Sequence, residues 1–74
     1  MATIEIQGWK KGANTVQAIK VLANDAGLGL HDGKRVIDRA LEAPPVTLDL
    51  AGDDLAAHIV SMLQSYGIDA RVRT

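Results

Sequence analysis

The chain contains no cysteine and no phenylalanine, and Trp9 and Tyr66 are its only aromatic residues. Without cysteine, disulfides and thiolate metal centres are excluded. Without phenylalanine, the core has to be assembled from Ile, Leu, Val and Ala. No apolar stretch approaches the roughly 20 residues of a membrane span. The start, Met1-Ala2-Thr3-Ile4-Glu5, lacks the basic and apolar regions of a secretory signal. These absences lead to the expectation of a soluble, cytoplasmic protein.

Charge of one sign is also lacking, since the formal net charge is only -1. The balance hides an asymmetry. Residues 1–39 carry six Lys or Arg against four acids, whereas residues 40–74 carry two against five, so basic character gathers in the first half. The 74 residues are expected to form one domain, 1–74. A chain of that size buries only about 60% of the surface exposed by its unfolded form, so its stability depends on one well-patterned core.

What is present is a clear alternation of periods. Thr3 to Gln7 places Ile4 and Ile6 opposite Thr3, Glu5 and Gln7, the period-2 pattern of a half-buried strand. Gly8 and Gly12 bracket Trp9-Lys10-Lys11 as a turn, with Trp9 expected to cover the open end of the core. Asn14 is a good N-cap for a helix over Thr15 to Ala26 with Ala18, Val21, Leu22 and Ala26 inward. Gly27 supplies the left-handed residue that ends it.

A second helix runs from about Leu30 to Leu41 with Val36, Ile37, Ala40 and Leu41 inward, and Pro44-Pro45 stops it. Val46 to Leu50 alternates as a second strand. Leu55, Ile59, Met62, Leu63 and Tyr66 form the stripe of a third helix that starts at Gly52-Asp53-Asp54. Gly67 closes that helix, and Ile68, Ala70 and Val72 alternate in a third strand.

The order is β-α-α-β-α-β, and every strand has one polar face. Helices therefore cover one side of the sheet only. The expected fold is a two-layer α/β (α+β) sandwich, a three-stranded antiparallel sheet with three helices on one face and strand 1 central.

Catalytic chemistry finds little support in this pattern. His31-Asp32, and His58 with Asp53-Asp54, supply no nucleophile held against an oriented base, and two histidines on different helices make a poor metal site. The glycines fail the phosphate-loop spacings: Asp32 stands where a dinucleotide fingerprint after Gly27-Leu28-Gly29 needs glycine, and Arg35 replaces the Ser or Thr that follows a P-loop lysine. We expect no enzyme and no cofactor.

A docking surface is the better reading. Val16, Ile19 and Ala23 fall on a side of the first helix different from the inward stripe, with Lys20 and Lys34 as a basic rim. Lys10, Lys11 and Arg35 are further candidates for attracting an acidic partner. A helix-turn-helix DNA reader is the alternative suggested by Leu22, Ala23, Ala26, Gly27, Leu28 and Val36. Against it, Gly33 stands where that motif buries a branched residue, and the chain is mildly acidic.

At Gly12-Ala13-Asn14, Val16, Ile19-Lys20, Gly27-Leu28-Gly29-Leu30, Lys34 and Gly67-Ile68-Asp69-Ala70-Arg71-Val72, the chain resembles the C-terminal domain of the bacterial ribosomal stalk protein. The resemblance implies the same β-α-α-β-α-β sandwich. It also implies a module that recruits translation GTPases through Val16, Ile19, Lys20, Gly29, Leu30 and Lys34. Thr15 and Ala23 stand where that family usually has Lys and Arg, which leaves room for a changed target. Because the likeness begins at the start of the chain, the expectation is a stand-alone relative without the family's dimerisation segment and hinge. The fold is shared with the Clp protease adaptor for N-terminal degradation signals, to which Asn14-Thr15-Val16 is faintly similar. An adaptor or small regulator built on the same fold is therefore the second expectation.

Overall fold

A computed structural model describes residues 2–73. Strand β1 (Ala2–Trp9) is followed by helix α1 (Thr15–Lys20), which continues without a break into a π-helical segment, Val21–Asp25. Helix α2 (Leu30–Glu42), strand β2 (Val46–Leu50), helix α3 (Asp53–Ser65) and strand β3 (Ile68–Arg73) complete the order. The sheet order is β2-β1-β3 with both pairings antiparallel, which puts β1 in the centre as its position in the connectivity requires. This is the expected α+β sandwich.

The alternating side chains sort as their period demands. Ala2, Ile4 and Ile6 from β1, Leu50 from β2, and Ile68 and Ala70 from β3 are buried in a single cluster with Ala18, Leu22, Ile37, Ile59 and Leu63 from the helices. Polar residues occupy the opposite face. There Thr3 Oγ1 donates to Asp49 Oδ1 at 2.7 Å, and Glu5 Oε1 accepts from Gln7 Nε2 at 2.9 Å and from Arg71 Nη2 at 3.3 Å. Helices α2 and α3 contact the strands, while α1 and its π-helical continuation pack on α2 and α3.

Three local expectations are corrected. Strand β1 does not stop at Gln7 but runs to Trp9, which pairs with Ile68 after a register shift between Ile6 and Gly8. Trp9 consequently ends the strand at 51% exposure rather than covering the core. The first helix is not α-helical to Ala26, because the Ala26 N–H donates to the Val21 carbonyl, five residues back, at 3.1 Å. Val21 and Leu22 at the start of this wider turn are both buried, as their place on the inward stripe predicts. The α3 stripe is broader than its sequence pattern, with Ala56 and Val60 buried beside Ile59 and Leu63, whereas Leu55, Met62 and Tyr66 are only partly buried.

Capping follows the chemistry of the termini. Asn14 Oδ1 accepts from the Gln17 N–H at 3.2 Å, satisfying one of the free donors at the start of α1. Asp53 and Asp54 lie in the first turn of α3, where the helix dipole favours negative charge.

Candidate protein-docking face

The connection between the first two helices is held almost entirely by its own backbone. The Leu28 N–H donates to the Leu22 carbonyl and the Gly29 N–H to the Ala23 carbonyl, each at 3.1 Å. Gly27 has φ +75° and Gly29 φ +83°, conformations that an L side chain rarely adopts. The reversal is thus tight, and α2 starts within three residues of the point where the preceding helix turns over. Gly29 is exposed and acts through its backbone as the N-cap of α2.

The two helices then meet along a seam centred on Gly33. A Cβ at that position would lie 3.0 Å from the Ile19 carbonyl oxygen and 3.1 Å from the Ala23 nitrogen. A side chain there would require the backbone of the first helix to give by a few tenths of an ångström. Ile19 and Ala23 therefore serve the helix contact in part, and Ile19 is packed against the core while remaining partly exposed.

Outward from the seam stand the residues that packing leaves over. Val16 is 60% exposed and Leu30 is 67% exposed, and together with Trp9 they are the large hydrophobic residues left open to solvent among the described residues. Val16 and Lys20 are four residues apart on α1, and Leu30 and Lys34 are four apart on α2, so each apolar residue has a lysine on its own helix face. Both lysines are exposed. Lys34 Nζ lies 3.4 Å from Asp38 Oδ2, so part of its charge is balanced along the helix.

Of the remaining basic candidates, Arg35 neighbours Lys34, whereas Lys10 and Lys11 do not join this face. Lys10 and Lys11 line a cleft formed by the β1–α1 connection and the Ser65-Tyr66-Gly67 turn. Arg35 shares with Lys34 a different cleft along α2, lined also by His31, Asp38, Arg39 and Glu42. Sequence proximity had grouped them; helix α1 and its π-helical continuation stand between Lys11 and Lys34 in the chain, and the two clefts share no residue.

Sequence reasoning also missed a contact between helices. His58 Nε2 on α3 lies 3.2 Å from Asp25 Oδ2 at the end of the π-helical segment, and both side chains are largely exposed. No periodic signal joins residues 33 positions apart, so only the fold reveals the pair. Among the described residues no group of three His, Cys, Asp or Glu side chains could hold a metal ion. No helix among them is long and apolar enough to cross a membrane.

Comparison of the chain with protein-family models, with curated proteins and with solved structures finds no match in any of the three.

Proposed function

We propose that this chain is a non-enzymatic protein-binding module that docks a partner through the outer face of the α1–α2 hairpin, with a translation GTPase as the leading partner class. The observation that carries the reading is the exposure of Val16 and Leu30 beside Lys20 and Lys34. Exposed apolar residues with basic neighbours on the same two helices are the kind of surface a protein interface uses. The partner class rests on the likeness of Val16, Ile19, Lys20, Gly29, Leu30 and Lys34 to the stalk domain.

Aspartate at Val16 or Leu30 tests the face without touching the core. Immobilised chain is presented with purified bacterial translation GTPases in their GTP state, and binding is read by interferometry. Wild type is expected to bind, and Val16→Asp and Leu30→Asp are each expected to lower affinity by roughly tenfold or more, as loss of a central apolar contact does. Equal binding by wild type and both variants would remove this face from the interaction. Absence of binding by wild type would remove the partner class.

A further inference from the structure

Strand β2 leaves an open sheet edge, and beside it lies a groove of about 400 Å³ between the strand and helix α2. Leu28, Val36, Val46 and Leu48 line it and are only partly buried, while Asp32 and Arg39 stand on its helical side. Asp32 and Arg39 form no ion pair among the described residues. From this arrangement we infer that the edge is a self-association surface, and that its occupant is the β2–α2 edge of a second copy of this chain.

The pattern of β2 is self-complementary. Two copies paired antiparallel about Leu48 set Val46 of one opposite Leu50 of the other on the core side, and Thr47 opposite Asp49 on the polar side. Neither face brings like charges together, and no apolar residue is turned to solvent. The hydroxyl–carboxylate pairing of Thr47 with Asp49 across the edge has its counterpart inside the chain, where Thr3 donates to Asp49.

Helix α2 adds the same symmetry in charge. It reverses into β2 through Ala43-Pro44-Pro45, so its Arg39 end lies towards Val46 and its Asp32 end towards Leu50. Seven residues of helix separate the two groups by about 10 Å, close to the roughly 13 Å covered by a five-residue strand. Antiparallel strand pairing therefore brings Asp32 of each copy towards Arg39 of the other. The two grooves close on one another, and the two sheets join into one of six strands. Arg35 lies midway and faces its own counterpart, the one unfavourable element of the pairing.

The opposite edge lacks these properties. On β3 the polar-side residues are Asp69, Arg71 and Arg73, and the cleft beside the strand is lined by Gln7, Lys10, Gln64, Asp69 and Ala70 rather than by large apolar side chains. Helix α3 also reaches that strand, where Gln64 Nε2 donates to the Ala70 carbonyl at 2.8 Å. An edge strand either recruits a partner or is protected from one. Here β3 is protected and β2 is not.

The paired surface is a short strand and one helix face, at the small end of protein interfaces, so a micromolar dimer is expected. Sedimentation of the purified chain between about 10 μM and 1 mM reads it directly, as a shift from 7.9 kDa to twice that mass. Asp32→Arg and Arg39→Asp, both at exposed positions, are each expected to weaken the dimer by about tenfold, because two attractive contacts become repulsive. The double variant Asp32→Arg/Arg39→Asp restores the attraction and is expected to recover it. Arg35→Gln is expected to tighten it severalfold. A dimer indifferent to all these changes would overturn the inference. So would a chain that remains a monomer at 1 mM, an outcome that leaves the edge to an extended strand of another protein.

Discussion

Replacing Gly33 by alanine sets two effects of opposite sign against each other. In the interior of α2, alanine is favoured over glycine by roughly 1 kcal/mol through backbone entropy alone. Helix propensity thus predicts a more stable protein. The seam with α1 predicts the reverse, since the added methyl would stand 3.0 Å from the Ile19 carbonyl oxygen and 3.1 Å from the Ala23 nitrogen. Both neighbours are backbone atoms of a helix packed on α2 and α3, so relief requires moving a helix rather than turning a side chain. Forced overpacking of this kind costs about 1–3 kcal/mol. The net expectation is a loss of about 1 kcal/mol. Urea unfolding followed by helical circular dichroism measures it, and a thermal melt should fall by roughly 4–8 °C for a domain of this size. A Gly33→Ala protein as stable as wild type, or more so, would refute the close packing of the hairpin and its role in presenting Val16 and Leu30.

Two further outcomes follow from capping and from the sheet face. Asn14→Ala removes the acceptor for the Gln17 N–H and should cost about 1 kcal/mol in the same urea assay; an unchanged midpoint would show that the cap contributes nothing. The Gln7 amide is the largest influence holding the Glu5 carboxyl below its ordinary value of 4.5; desolvation, next in size, opposes it, and Arg71 and then Arg73 lower it further. A carboxyl lowered on folding stabilises the protein above its unfolded pKa, and that contribution fades as pH falls through the folded value. Stability should therefore decline as acid is added below about pH 4.5, and Gln7→Ala should move the Glu5 titration, followed by NMR, back up towards the ordinary value; an unmoved titration would exclude the amide as its cause.

The fold was legible because its signals are local and periodic. Ile4 and Ile6 alternate, Ala18 and Leu22 recur at helical spacing, and Gly27 and Pro44-Pro45 mark where elements end. Those rules also placed Val16 outside the inward stripe with Lys20 and Lys34 as a basic rim, and all three are exposed, as is Leu30, which only the resemblance had singled out. Ile19 and Ala23 were less well read. Both are off the inward stripe of α1, yet they border Gly33 of the second helix, and one helix's pattern carries no record of what approaches its other side.

Trp9 and the π-helical turn mark the same boundary. The glycines around Trp9 look alike whether the chain turns there or pairs as a strand, and it was Ile68, on a strand far along the chain, that drew β1 on to Trp9 and left the indole open. The π-helical turn at Val21–Asp25 lies where the first helix packs on both α2 and α3, and no local pattern in the sequence marks it. The sequence by itself determined the elements, their order and the central place of β1, because short-range hydrophobic periodicity and turn chemistry suffice for these. The tertiary structure alone decided the seam at Gly33, the separation of the lysines into different clefts, the His58–Asp25 contact and the contrast between the two sheet edges. These depend on distances between residues far apart in the chain, which no local pattern encodes.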